Sequence, residues 1–331
     1  MKKHIYIYSP SGAVRDKAAF RRGVARLTAL GHEVEIDPDA LTSSQRFAGD
    51  DATRLAAIHR AAASGADVAL LSRGGYGLTR LLPKLRYKAI GKAIDRGMLF
   101  VGISDFTALQ CAVLAKTGQV TWAGPALCEG FGVGGKRPGL SAPDTSAQLA
   151  PDEIMEACFD DLLCGQGEGA GWRQHRDSGV SLPSRTTGVG ASTSVLSISN
   201  ATLWGGNLSV LTSLVGTPHF PEIKGGILFL EDVGEHPYRI ERMLTQLLHA
   251  GVLARQKAIV MGQFTGYTLT PHDRGFNLNM VWTRLRAQIK VPVLTNLPYG
   301  HVQTKVLLPV GQTVDLVAEN RDAMLFWGHS H

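Results

Sequence analysis

The stretch "LFVGISDFTALQCAVLAK" (residues 99–116) runs from an apolar segment into a helical pattern through the turn "GISD" at 102–105. A short apolar run, a glycine-bearing turn and an apolar-rich helix read as the carboxyl end of a strand in an open α/β sheet, where such sheets bind ligands. Ser104 at that turn suits two roles. It can cap the helix, as most serines at such junctions do, or act as a nucleophile whose hydroxyl stands above the sheet. "GISDF" matches the first half of the G-x-S-x-G elbow, with Phe106 in place of the second glycine. The partners of Ser104 must decide between the two.

Outward from this turn, strand and helix alternate. "HIYIYS", "HEVEI" and "DVALLS" read as strands, and "DKAAFRRGVARLTAL" and "DDATRLAAIHRAAAS" as helices closed by Gly31 and Gly65. This implies an α/β fold whose N-terminal domain, residues 1–135, is a mainly parallel, flavodoxin-like sheet with helices on both faces. Residues 136–192 are rich in Gly, Ser and Pro, with one helical interlude at "PDEIMEACFDDLL", and read as a connector. Order returns in a C-terminal α/β domain of mixed strands, residues 193–331, where "KVLLPVGQTVDLVAE" is predicted to form a β-hairpin turning at "PVGQ".

The chain has 331 residues, 44% hydrophobic and 19% charged, which suffices for a buried core. The apolar stretch after the first lysines is only about six residues long before Pro10, short for a signal peptide, and no run approaches the roughly 18 residues of a membrane span. The chain therefore reads as soluble and cytoplasmic. Four cysteines without a CxxC pair suit a reducing compartment. The net charge of +6 is scattered rather than clustered, which speaks against nucleic acid and for small anionic substrates.

Two loops follow predicted strand ends. "RGGYG" (Arg73 to Gly77) lacks the last glycine of a dinucleotide fingerprint and the lysine of a phosphate loop, so no cofactor is expected there. Its glycines let backbone N–H groups face a ligand. The other is the Ser104 turn. A serine nucleophile needs a histidine, and the histidine needs an acceptor. His301 in "LPYGHVQ" lies on a glycine-bearing loop after a strand; His219, His236 and His272 are lesser candidates. Glu231 and Asp232 close the apolar strand "GGILFLED" and supply the acceptor, although Glu231 equally suits a cap or salt bridge. No histidine pair has ligand spacing, so no metal is expected.

The blocks "RGGYG", "GISDFTALQ", "LWGGNLSVLTSLVGTP", "GGILFLEDVGEHPYRIERMLTQLLHAG", "RQKAIVMGQFTGY" and "YGHVQTKVLLPVG" resemble, in that order, those of serine LD-carboxypeptidases, the muramoyltetrapeptide carboxypeptidases of bacterial peptidoglycan recycling. The resemblance spans nearly the whole chain, apart from a connector longer and more polar than the family needs. It implies a Ser104, Glu231 and His301 triad, with the backbone N–H groups of Gly75 and Asp105 as oxyanion hole. It further implies hydrolysis of the L,D bond between meso-diaminopimelate and D-alanine in murein tetrapeptides, and a homodimer. Arg73 is a candidate for the terminal carboxylate or a loop brace, with Tyr76 beside it. Trp204 is a candidate cleft wall or packed core residue, and Asn207 a substrate contact or helix cap. On the same scaffold, a microcin-immunity type of hydrolase is the alternative; a non-catalytic peptide- or nucleotide-binding protein is another, and a glutaminase would require cysteine at 104.

Overall fold

The computed structural model describes residues 1–134, 150–175, 184–187 and 191–328. In chain order the elements are β1 (His4–Tyr8), α1 (Lys17–Ala29), β2 (Glu33–Ile36), α2 (Asp51–Ala63), β3 (Val68–Leu71), α3 (Tyr87–Asp95), β4 (Leu99–Gly102), α4 (Thr107–Thr117) and β5 (Thr121–Ala123). They continue with α5 (Glu153–Cys164), β6 (Gly169–Arg173), β7 (Ser184–Thr187), β8 (Ala191–Asn207), α6 (Leu208–Ser213), β9 (Ile227–Val233), α7 (Pro237–His249), β10 (Ala258–Thr265), α8 (Leu278–Gln288), β11 (Val293–Leu294), β12 (Leu308–Val310), β13 (Thr313–Glu319) and β14 (Asp322–Phe326).

The first sheet has the order β12-β5-β4-β3-β1-β2. Its five N-terminal strands are parallel, in the flavodoxin-like arrangement expected. Strand periodicity separates its two faces: Ile5, Ile7, Val68 and Leu70 pack on one side, Tyr6, Tyr8, Ala69 and Leu71 on the other. Asp16 and Asp50 start α1 and α2 by accepting the N–H of Ala19 and Thr53 at 2.8 and 2.7 Å.

The second sheet runs β11-β10-β9-β8-β13-β14-β6, parallel from β11 to β8 and antiparallel from β8 to β6. Between the two sheets lies α4, buried without interruption from Thr107 to Leu114. A helix apolar on nearly every side belongs in a core rather than on a surface, and one hydrophobic cluster joins α4 to the strands of the second sheet. The turn that begins α4 therefore stands at the seam of the two layers.

Two expectations are corrected. "KVLLPVGQTVDLVAE" is not a hairpin: β12 pairs antiparallel with β5 of the first sheet, and β13 pairs with β8 of the second. Gly311, at φ 103°, bends the chain from one sheet into the other. The hairpin of this region is β13 with β14, turning at Asn320 and Arg321. Nor are residues 136–192 merely connective. In α5, Met155, Phe159, Leu162 and Leu163 pack on the α1 face of the first sheet, and β6 forms the edge of the second. Within the connector, residues 136–149, 176–183 and 188–190 lie outside the described residues.

Candidate active site

Ser104 opens a 3₁₀ turn, Ser104–Phe106, between β4 and α4, and adopts φ 68°. Left-handed backbone at a non-glycine residue costs about 1–3 kcal/mol and persists where the surroundings impose it. The capping role is not observed: Ile103 occupies the cap position and no side chain caps the turn. The serine instead lines a cavity of about 650 Å³ together with Arg73, Gly74, Gly75, His301 and Lys305.

The glycine loop is held against Ser104 by the next residue. Asp105 is 1% exposed, and its carboxylate accepts from Ser11 Oγ at 2.6 Å and from the Leu78 N–H at 2.9 Å, fixing the far end of the loop. Burial pushes the Asp105 pKa up, against hydrogen bonds that favour its charged form. Gly12 N–H donates to Gly74 O at 3.2 Å. A Cβ at Gly74 would lie 2.7 Å from Ser104 Cβ and 2.9 Å from its Oγ, so only glycine lets loop and serine approach this closely. Gly74→Ala is expected to displace Ser104 and lower kcat/KM on the order of 10²-fold, checked by steady-state kinetics beside a thermal melt showing a folded protein.

Across the seam, β8 and β9 place Asn207 and Glu231 side by side in register. Glu231 is fully buried and aims Oε2 at His301 Nδ1, 2.8 Å away. Asn207 Nδ2 donates to Glu231 Oε1 at 3.1 Å and to Asp232 Oδ1 at 2.9 Å, while its Oδ1 accepts the Val210 N–H and caps α6. The Asn207 N–H donates to Thr107 Oγ1 at 3.0 Å, so the residue that holds Glu231 is bonded to the helix that Ser104 begins. Gly206 permits this contact, since a Cβ there would lie 2.5 Å from Thr107 Oγ1.

Two forces act on His301. Burial lowers its pKa, but the hydrogen bond and charge of Glu231 together outweigh burial and hold it above a histidine's ordinary 6.5. Asp232 is pushed up to about 6, first by burial and then by the neighbouring Glu231 charge. A serine at a strained turn, a glycine loop pressed against it and a carboxylate-bound imidazole on one cavity form the apparatus of a serine hydrolase.

The other candidates divide. Arg73 lines the cavity, but its Nη1 donates to Ala13 O at 3.2 Å and its Nε lies 3.5 Å from Glu129 Oε1, which makes it a loop brace. Tyr76 does not line the cavity; it is 46% exposed, with Arg46 over its ring and Phe47 beside it. Trp204 is no cleft wall: it is 1% exposed, donates Nε1 to Gln256 Oε1 at 3.0 Å and packs edge-on against Phe220. Asn207 is a helix cap, as expected, and also the second support of Glu231. His219 stacks on Tyr87, while His236 and His272 border a separate, more open cavity of about 880 Å³. Sequence reasoning missed Thr107 and Lys305. A threonine three residues after the nucleophile position was available as a signal, whereas nothing local marks Lys305 as buried.

Comparison with known proteins agrees with this architecture. Residues 5–124 match the LD-carboxypeptidase N-terminal domain and residues 200–316 the LD-carboxypeptidase C-terminal domain. The chain belongs to the LD-carboxypeptidase family, and it is a serine-type LD-carboxypeptidase. The crystal structure of muramoyltetrapeptide carboxypeptidase from Oxalobacter formigenes superposes with a TM-score of 0.78 at 35% identity, covering 98% of each chain. The murein tetrapeptide carboxypeptidase of Pseudomonas aeruginosa is 32% identical over 251 residues, 74% of this chain and 70% of that protein. The microcin C7 self-immunity protein of Escherichia coli is 26% identical over 255 residues, 75% of this chain and 70% of that protein.

Proposed function

We propose that this protein releases the terminal D-alanine of murein tetrapeptides by cleaving the L,D bond after meso-diaminopimelate, a step of peptidoglycan recycling. The observation that carries the reading is the 2.8 Å contact between His301 Nδ1 and the buried Glu231, on the cavity that the strained Ser104 lines. With Nδ1 committed to Glu231, the His301 Nε2 is the atom left to take a proton.

In this mechanism Ser104 Oγ attacks the carbonyl before D-alanine while His301 takes its proton. Glu231 stabilises the imidazolium, and the N–H groups of Asp105 and Gly75 receive the oxyanion. His301 then gives the proton to the departing amine of D-alanine. Water, deprotonated by the same histidine, attacks the acyl-enzyme ester and frees Ser104.

The microcin-immunity alternative would use the same triad on an aminoacyl or peptidyl nucleotide. A nucleobase is ordinarily held by stacking on an aromatic side chain. The cavity is lined by no Phe, Tyr or Trp among the described residues, which favours the peptide substrate. The test is mass spectrometry of products from tetra- and pentapeptides whose third residue is meso-diaminopimelate or lysine. Loss of one D-alanine from tetrapeptide, and not from pentapeptide with its terminal D,D bond, is expected. Failure to release D-alanine from every tetrapeptide would overturn the reading.

A further inference from the structure

An exopeptidase must recognise the free carboxylate one residue beyond the bond it cuts, and a cation or a backbone nest suits that task. Three cationic side chains line the Ser104 cavity among the described residues, namely Arg22, Arg73 and Lys305. The two arginines are engaged. Arg22 donates Nε to Gly132 O at 3.0 Å and approaches Asp16 at 3.8 Å. Arg73 is bonded to Ala13 O and faces Glu129.

Lys305 differs from both. It is 3% exposed, and among the described residues its ammonium has no hydrogen-bond or ion-pair acceptor. Holding an ammonium in a largely buried position without a direct acceptor is unfavourable, and an anion bound in the cavity would offset that cost. Burial lowers its pKa, and the charges of Glu129, Glu231 and Asp152 work against that fall. Lys305 follows His301 by four residues on one loop, and its charge acts on the His301 ring. His301 must protonate the departing amine, so the leaving D-alanine lies on the His301 side of the scissile bond, which is the side Lys305 shares.

We propose that the ammonium of Lys305 binds the terminal carboxylate of the substrate and thereby confines the enzyme to the last peptide bond. This rests on the carboxypeptidase reading above. Arg73 then serves to brace the glycine loop and not to bind the substrate.

The experiment compares kcat/KM on murein tetrapeptide ending in D-alanine with the same peptide ending in D-alaninamide, for wild type, Lys305→Met and Lys305→Arg. Wild type should prefer the free acid by at least about tenfold, in line with a charge-assisted contact. Lys305→Met should lose that preference by falling on the acid and not on the amide, and Lys305→Arg should restore part of it. A merely structural lysine would lower both substrates together. Lys305→Met should melt no lower than wild type, because an apolar residue of similar volume replaces an ammonium that has no direct acceptor among the described residues.

Wild type that cleaves acid and amide alike would overturn this proposal without any variant, and so would a Lys305→Met enzyme that keeps the preference. A loss confined to substrates with meso-diaminopimelate at the third position would assign Lys305 to that side-chain carboxylate and overturn it too. Wild type inactive on every peptide would remove the carboxypeptidase reading, and this proposal with it.

Discussion

Ser104→Ala is expected to lower kcat for D-alanine release on the order of 10⁶-fold while the protein stays folded, since in the proposed mechanism the triad acts as a unit and the serine forms the covalent bond. Substrate binding should survive, so the variant should still bind tetrapeptide in calorimetry. Ser104→Gly sharpens the expectation. Ser104 sits at φ 68°, a conformation glycine adopts freely, so this variant should be equally inactive yet more stable by about 1 kcal/mol. Loss of activity with a gain in stability is the signature of strain kept for function. Thermal or urea unfolding beside the activity assay reads both. Retained release in either variant would contradict the nucleophile assignment.

Glu231→Gln carries the second largest effect. The carboxylate of Glu231 fixes His301 through Nδ1 at 2.8 Å and is itself held by Asn207 Nδ2 at 3.1 Å. A glutamine fits the space, but its amide can present a donor to Nδ1 and favour the tautomer that cannot take the serine proton. Turnover should fall on the order of 10⁴-fold. The pH profile gives a second readout. In wild type the neutral form of His301 is the base, and its pKa lies above 6.5, so kcat/KM should rise with pH through a midpoint above that value. Removing the Glu231 charge removes the largest influence that raises the pKa, leaving the smaller one of Asp232 against the burial that lowers it. The acid limb of Glu231→Gln should therefore move to lower pH. A limb that stays in place would mean that another group titrates there.

These expectations depend on residues that were legible to very different degrees. The parallel layer could be read because its strands are short apolar runs between amphipathic helices; of the three triad candidates Ser104 follows β4 directly, Glu231 lies near the end of β9, and His301 is on the loop between β11 and β12. Their union could not be read from spacing, because it depends on β8 and β9 pairing in register at Asn207 and Glu231, and on α4 being buried between two sheets. The supposed hairpin at residues 305–319 shows the same limit. The sequence places both strands, an apolar run at β12 and an alternating one at β13, but pairing is a tertiary fact, and Gly311 sends them to different sheets. Sequence alone does not show which way a strand or loop faces, which is why Trp204 suits cleft wall and core alike and Lys305 goes unmarked. The aromatic ring went inward, and the lysine went into the cavity wall.

The structure also explains why the seam between the two sheets is specified so tightly. Ser104, the proposed nucleophile, follows β4 of the first sheet, Glu231 is on β9 of the second, and His301 is on the loop that leads from β11 of the second sheet to β12 of the first. Thr107 and Asn207 bond the two layers directly. Asp105 ties the glycine loop to the same turn from within the first layer. A small movement between layers would separate Ser104 from His301, and glycine at 74 and at 206 removes the side chains that would force one.

The most direct measurement of the serine mechanism is labelling with a fluorophosphonate probe, mapped by peptide mass spectrometry and followed together with D-alanine release from murein tetrapeptide. One probe per chain on Ser104, with release declining in proportion to labelling and labelling slowed by the tetrapeptide, is the expected result. Full D-alanine release by protein whose Ser104 is stoichiometrically modified would contradict the mechanism.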